Sequence, residues 1–288
     1  VAPTIQKAIF GYGKTSSDVS LTNLVNSSGV VATDVTGVGT ARNNLAASSY
    51  GGDKAIFGYG RTSTQVSMTN LVNNSGVVAT DVSGVGTARQ SLAAASYGGD
   101  KAIFGYGTDS SLTNLVTNQG VVGNDVSGVG TARNDLAAAS YGGDKAIFGY
   151  GYYYSGGVVN YSLTNKVSNS GVVASDTTGV GTARYLLAAA GYGGDKAIFG
   201  FGTTGSVTGL TNLVSNTGVV ASNVSAVGTA RKGLAAAGYG GDKAIFGYGT
   251  TGSLTAITNL VNNSGVVASD VSGVGTAREK PAAAGFSY

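Results

Sequence analysis

The residues of this chain that could do chemistry recur at fixed places. An Arg ends each of six Thr-Ala-Arg segments, an Asp precedes five Lys-Ala-Ile-Phe segments, and a Tyr stands in five Gly-Tyr-Gly segments. The arginines are Arg42, Arg89, Arg133, Arg184, Arg231 and Arg278. A guanidinium can hold a carboxylate or a phosphate through two parallel hydrogen bonds. Because the repeats also supply carboxylates, we expect these arginines to fix the packing between repeats rather than to bind an external anion.

Catalytic chemistry is not expected from this composition. The chain has no His and no Cys, and Glu279 is its only Glu. His is the usual general base near neutral pH, and a glycosidase needs two carboxyl groups that act as a pair. One Asp in each Gly-Gly-Asp turn is far short of the oxygen ligands that calcium requires. The sequence therefore predicts a protein that is not an enzyme and has no cofactor or metal ion.

These residues belong to a unit that is repeated along the whole chain. Lys-Ala-Ile-Phe begins at Lys7, Lys54, Lys101, Lys145, Lys196 and Lys243, at intervals of 44 to 51 residues. In the unit over residues 92–133, four short segments are separated by turn signals: LAAASY, KAIFGYG, LTNLVT and VVGND. A repeated unit of four short strands predicts an all-β fold, a six-bladed β-propeller of four-stranded blades.

The two ends of the chain predict how this ring closes. The sequence reaches a second strand at Lys7 without a first strand before it, and it ends with AAAGFSY, which matches a first strand. We therefore predict one domain over residues 1–288, in which residues 282–288 complete the first blade and remove the unpaired edges. A β-solenoid would have shorter coils of even length and end caps, and a helical repeat would need longer segments between the glycines.

The order of these segments resembles the repeat of the kelch-like propeller family. In that family an inner strand is followed by a strand ending in Gly-Gly, two outer strands and an Arg, and the order here is LAAASY, KAIFGYG, LTNLV, GVVA and TAR. The Gly pair is split by an aromatic residue and there is no Trp, so the resemblance implies the fold but no partner or activity. These repeated segments also resemble the Gly-rich propeller repeats of phage and marine viral structural proteins.

Differences between the six copies indicate where function lies. The copies differ mainly in the loop after Gly-Tyr-Gly and in the two residues after each Arg, which strand alternation places on one face. The fourth copy has the longest loop, rich in Tyr, Ser, Gly and Asn, a composition typical of adaptable binding loops. The predicted partner-binding residues are Tyr152, Tyr153, Tyr154, Tyr161, Tyr185, Asn134 and Lys232. A tolerated insertion with no binding role is the alternative interpretation.

From these observations we expect a non-enzymatic attachment or decoration module of a virus particle, located on a virion or outside cells. Its loop face would contact a host-surface glycan or a neighbouring structural protein, with oligomerisation possible inside a larger assembly. A net charge of +3 without clustered basic residues predicts no nucleic-acid partner, and no apolar run is long enough for membrane insertion. A free carbohydrate-binding lectin with one site per blade is the alternative, and a consensus-like designed propeller is a third interpretation.

Overall fold

The fold consists of strands, turns and loops. The computed structural model describes residues 6–225 and 227–287, and among these residues no helix occurs. Six antiparallel sheets of three strands each follow one another along the chain, and one separate two-stranded hairpin is present. The predicted all-β class is therefore confirmed. The predicted domain limits also include residues 1–5, 226 and 288, which lie outside the described residues.

Each sheet has a first strand from the small-residue segment, a second from Lys-Ala-Ile-Phe-Gly and a third from Thr-Asn-Leu-Val, which is Thr-Asn-Lys-Val in the fourth unit. The first strands are β3 (Ala46–Tyr50), β6 (Ala93–Tyr97), β9 (Ala137–Tyr141), β14 (Ala188–Tyr192), β17 (Ala235–Tyr239) and β20 (Ala282–Phe286). The second strands are β1 (Lys7–Gly11), β4 (Lys54–Gly58), β7 (Lys101–Gly105), β10 (Lys145–Gly149), β15 (Lys196–Gly200) and β18 (Lys243–Gly247). The third strands are β2 (Thr22–Val25), β5 (Thr69–Val72), β8 (Thr113–Val116), β13 (Thr164–Val167), β16 (Thr211–Val214) and β19 (Thr258–Val261). The hairpin consists of β11 (Tyr152–Tyr154) and β12 (Val158–Asn160).

The fourth strand expected in each unit is reduced to two isolated bridges. In the first unit these bridges are Val25–Val31 and Thr22–Val35. The fourth segment has one more residue between its bridges than the third strand has, which is the geometry of a β-bulge. Between the two bridges, a side chain takes a backbone acceptor of the fourth segment: Asn23 Nδ2 donates to Ala32 O at 3.0 Å. Each sheet is therefore three-stranded, and its outermost segment is held partly by side-chain hydrogen bonds.

The hydrophobic core lies between successive sheets. Ile56 and Tyr59 of one sheet pack in a single cluster with Ala102, Phe104 and Val116 of the next, and equivalent clusters recur along the chain. Both faces of the second strand are covered, which explains why Ala-Ile-Phe is a continuous apolar run rather than an alternating one.

The glycine that follows Phe in each second strand is required by this packing. A β-carbon placed at Gly58 would approach Phe104 Cζ of the next sheet to 2.6 Å. A contact that short forces a shift of the ring or of the strand. Only a residue without a side chain therefore allows the two sheets to approach this closely.

Backbone contacts also join each sheet to its neighbour. The first strands contact one another in the order β3, β6, β9, β14, β17 and β20, and β20 also contacts β3. At the turn between first and second strands, Gly51 N donates to Asp100 O at 2.7 Å, and the same link recurs at the three following turns. The last two links involve both ends of the chain, since Gly240 N donates to Gln6 O and Ser287 N donates to Asp53 O. Strand β20 pairs with β1, and Lys7 is opposite Phe286.

Candidate functional site

The six repeated arginines are buried inside the interfaces between sheets. Arg42 is 0 % exposed. Its Nε donates to Tyr59 O at 2.9 Å and its Nη2 to Asn70 Oδ1 at 2.8 Å. Its guanidinium carbon lies 4.3 Å from the centre of the Tyr12 ring in the preceding sheet, within the range of a cation–π interaction. The predicted packing role of the arginines is confirmed, and all three guanidinium nitrogens of Arg42 donate hydrogen bonds inside the protein.

The Asp that follows Gly-Val-Val completes this interface. Asp81 accepts hydrogen bonds from Thr40 Oγ1 at 2.6 Å and from Asn70 Nδ2 at 2.9 Å. Burial opposes ionisation, but these hydrogen bonds and the charge of Arg42 outweigh it and hold the pKa of Asp81 below its ordinary value. The pKa is lowered for the same reasons at Asp34, Asp125, Asp176 and Asp270. In the fifth unit Asn223 takes this position and bonds Thr182.

The repeated Tyr of Gly-Tyr-Gly is a packing residue, as predicted. Tyr12 is 0 % exposed and its backbone is left-handed, with φ of 62°. Its hydroxyl donates to Val38 O at 3.0 Å, and its ring lies 5.1 Å from that of Phe57. Burial raises the pKa of this phenol. No reactive group is therefore presented to solvent by this element.

The Asp of each Gly-Gly-Asp turn forms local surface contacts. Asp53 Oδ1 accepts from Lys54 Nζ at 2.8 Å, and its Oδ2 accepts from Asn74 Nδ2 at 3.2 Å. Exposed pairs of this kind contribute little to stability. Within residues 6–225 and 227–287, no group of three or more His, Cys, Asp or Glu side chains could hold a metal ion.

The two variable segments of neighbouring units lie side by side. The first residue after each Arg pairs with the loop that follows Gly-Tyr-Gly in the next sheet, as in the bridges Asn43–Arg61, Asn134–Tyr152 and Lys232–Thr250. The structure therefore brings together the two places where the copies differ most. We call this surface the variable face.

The hairpin β11–β12 is the largest feature of the variable face. Its cross-strand pairs are Tyr152–Asn160, Tyr153–Val159 and Tyr154–Val158. Tyr154 is 60 % exposed, Val158 54 % and Val159 44 %. The hairpin is anchored at its base, because the rings of Tyr152 and Tyr185 lie 4.9 Å apart. An uncharged aromatic and aliphatic tip therefore projects from an anchored base.

Four of the predicted binding residues meet at this hairpin. Tyr152, Tyr153 and Tyr154 form one strand of it, and Tyr185 packs against its base. Burial, followed by the charges of Asp135 and Asp109, raises the pKa of Tyr152 to about 12, so its phenol stays neutral and can donate a hydrogen bond. Tyr153 and Tyr185 are half-buried. Tyr154 therefore offers the most accessible ring of the set.

Of the remaining three predicted residues, Asn134 pairs through its backbone with Tyr152 at the base of the hairpin, and the other two lie outside the hairpin. Tyr161 follows the hairpin, is half-buried, and its N–H donates to Gly151 O at 2.8 Å. Asn134 is 6 % exposed, and its Nδ2 donates to Asp109 Oδ1 at 2.6 Å, so its amide is occupied within the protein. Lys232 pairs with Thr250 in the loop of another sheet. It therefore lies on the variable face but on a different pair of loops.

Sequence reasoning missed the two valines of the hairpin. Val158 and Val159 are exposed beside Tyr154, although Val is usually counted as a core residue. Their position in the only long insertion was the available signal. The second residue after each Arg also varies between the copies, but the predicted set does not include it.

Comparison with known proteins adds no relative. No protein-family model matches this chain, and a search of curated proteins finds no similar sequence. In the part of the chain that the structure describes, no helix is long and apolar enough to cross a membrane. Function must therefore be inferred from the residues themselves.

Proposed function

We propose that the six sheets form a six-bladed β-propeller that is one domain over residues 1–288. Three observations support this architecture. Strand β20 pairs with β1, the first strands contact one another in an order that returns from β20 to β3, and Arg278 Nε of the last connection donates to Tyr12 O of the first unit at 2.8 Å. The likeness of the repeat to kelch-like propellers agrees with this proposal. In this architecture residues 282–288 complete the first blade.

We propose that the protein is a non-enzymatic attachment or decoration module that binds through its variable face. The observation that carries this proposal is the exposed tip of the hairpin, where Tyr154, Val158 and Val159 project from a scaffold of buried, repeated interfaces. Tyr combines a large apolar ring with a hydroxyl, and it loses little conformational entropy on binding. Rigid scaffolds with recognition loops at one end commonly work in this way.

The partner of this face is a host-surface glycan or a neighbouring structural protein. A ring such as that of Tyr154 can stack on the apolar face of a sugar, and the adjacent valines suit either surface. The compositional likeness to phage and marine viral repeats supports a place on a virion or outside cells. One unusual loop in one repeat favours a single attachment site over six equal sites.

A glycan array, together with binding to host cells, tests this proposal. The variants are Tyr154→Ser with Val158→Ser and, as a matched control, Val172→Ser, since Val172 is 65 % exposed on the outer segment of the same unit. We expect the hairpin variant to lose at least tenfold in affinity and the control to bind like the wild type. Equal binding by the hairpin variant and the control would contradict the assignment of this site.

A free lectin with one sugar site per unit is the second candidate. It is favoured by the recurrence of the same loop pair in the units, for example Asn43–Arg61 and Lys232–Thr250. The two candidates differ in stoichiometry. Titration with a glycan selected on the array would give one sugar per chain for the hairpin site and about six for the lectin, as expected from one site per repeat.

A further inference from the structure

The second residue after each Arg forms a ring at the centre of the variable face. These residues are Asn44, Ser91, Asp135, Leu186, Gly233 and Lys280. Their backbones form a chain of hydrogen bonds, in which each N–H from Ser91 to Lys280 donates to the carbonyl of the preceding member at 2.6 to 3.0 Å. All six line one cavity of about 70 Å³. Otherwise similar repeats therefore bring six different residue types to one place.

The six residues of this ring share a backbone conformation that favours glycine. All six residues are left-handed, with φ between 48° and 61°. Glycine adopts this conformation without cost, whereas most other residues are strained in it. Gly233 is the only glycine of the six. Leu186 and Lys280 are residue types that rarely adopt this conformation. The repeat therefore imposes one backbone conformation at this position, and the side chain that occupies it differs from copy to copy.

The ring carries one negative and one positive side chain, and they are separated. Asp135 and Lys280 are three positions apart in the series of six. The charge of Lys280 acts on Asp135, yet no ion pair within 4.0 Å joins them among the described residues. Asn44 and Ser91 supply further hydrogen-bonding groups. The cavity therefore lies between two opposite charges that do not neutralise each other directly.

Asp135 is half-buried, so its carboxyl is partly shielded from water. Desolvation raises the pKa of its carboxyl, and the Ser91 hydrogen bond and the charge of Lys280 only partly offset this effect. A shielded carboxylate gains more from an incoming cation than an exposed one does, because the effective dielectric constant is lower. An ionised Tyr152 would repel the carboxylate of Asp135. The pKa of this phenol is raised to about 12, so Tyr152 stays neutral.

We propose that this ring is a binding site for one small zwitterion, whose ammonium faces Asp135 and whose carboxylate faces Lys280. The ligand class is an amino acid or a compound with the same two groups on a short spacer. Asn44 and Ser91 hydrogen-bond the ligand. This site is separate from the tip of the hairpin, so it does not depend on the function proposed above.

Titration of the full chain with glycine, β-alanine and 4-aminobutanoate tests the proposal, with acetate and methylammonium as ligands of single charge. Saturation-transfer NMR detects weak binding, and calorimetry gives the stoichiometry. We expect one of the zwitterions to bind once per chain and to bind at least tenfold more tightly than either ligand of single charge. Equal binding of methylammonium, or binding of no zwitterion at millimolar concentrations, would overturn the proposal.

Two variants assign the binding to named residues. Asp135→Asn and Lys280→Asn each remove one charge but place at that position the residue that Asn44 already has in the same conformation, so the fold is retained. Each is expected to weaken zwitterion binding at least tenfold. Glu279→Gln is the matched control, because Glu279 precedes Lys280 and pairs with Lys14 instead of the ring. Unchanged binding in both ring variants would reject the site, whereas the Tyr154→Ser variant is expected to bind the zwitterion normally.

Discussion

The interfaces between sheets and the hairpin of the fourth unit are opposite kinds of surface. In the interface, Arg42 is fully buried and bonded to Tyr59 and Asn70, and the same residue types recur in the other units. In the hairpin, Tyr154 is largely exposed, and no other unit has its equivalent. The comparison shows that residues at constant positions of the repeat hold the units together, whereas the largest departure from the repeat lies exposed at the surface.

The largest expected effect is in the interface. Arg42→Ala should lower the free energy of unfolding by about 3 kcal/mol or more, because it leaves Asn70 Oδ1 and the buried carbonyl of Tyr59 without their donor and removes the cation beside Asp81. Urea denaturation followed by circular dichroism measures the change. Arg61→Ala is the control, since Arg61 is exposed on a loop and its loss should change stability by less than about 0.5 kcal/mol. Equal effects of the two variants would contradict the distinction between the surfaces.

The second largest loss of stability is expected where a glycine lets two sheets approach closely. Gly58→Ala would place a methyl group 2.6 Å from Phe104 Cζ and should cost about 1–3 kcal/mol by overpacking. Gly157→Ala in the hairpin is the matched control, because no atom lies within 4 Å of its added carbon. Thermal unfolding should separate the variants, with a lower midpoint for Gly58→Ala alone.

A single hydrogen bond of the interface should be worth less. Tyr248→Phe removes the donor to Val274 O, a bond of 3.1 Å, and should destabilise by about 1 kcal/mol. The ring itself should still fit, because Phe201 occupies the equivalent place in the fifth unit and lies 5.1 Å from Phe246. A loss above about 3 kcal/mol in urea denaturation would mean that the ring packing also changed.

The interface carboxylates should make the free energy of unfolding depend on pH. The pKa values of Asp34, Asp81, Asp125, Asp176 and Asp270 are lowered on folding. Their contribution is therefore complete above the ordinary value of 3.8 and is lost as the pH falls through the lower folded values. Urea denaturation between about pH 6 and pH 2 should show stability falling below about pH 4. A flat profile would contradict the carboxylate network.

The fifth unit allows a sharper test of the same network. Asn223→Asp restores the carboxylate that the other units have beside the Thr at this interface, and should add about 0.5 kcal/mol near neutral pH. The gain should disappear at about pH 2, where the new carboxyl is protonated. Ser222→Asp, one residue away and also exposed, is the control that changes the charge without the network.

Much of the local structure could be predicted from particular residues. Ala102, Ile103 and Phe104 form the strand expected of them, and the Gly-Gly turns before them were recognised from glycine chemistry. The expected fourth strand was wrong in extent, because the side chain of Asn23 takes the carbonyl of Ala32. A side chain that competes with the backbone ladder leaves no signal in the pattern of apolar residues.

The candidate site was predicted in part. The tyrosines of the fourth unit stood out as an insertion, and the structure places Tyr152 against Tyr185, as their positions in the repeat suggested. Asn134 belongs to the same predicted set of partner-binding residues, but its side-chain amide donates to Asp109. Whether a polar side chain on a loop is free or occupied depends on its neighbours in space, which sequence spacing does not specify.

The sequence by itself determined the repeat, the strands within it and the loops that vary, because these depend on local apolar patterns, on glycine and on the comparison of copies. Tertiary structure alone decided which acceptors the buried Arg42 bonds and that Asp135 and Lys280 share one cavity. These residues are more than a hundred positions apart along the chain. Only the packing of distant units brings their charges together, and electrostatic interactions depend on that distance and on the surrounding burial.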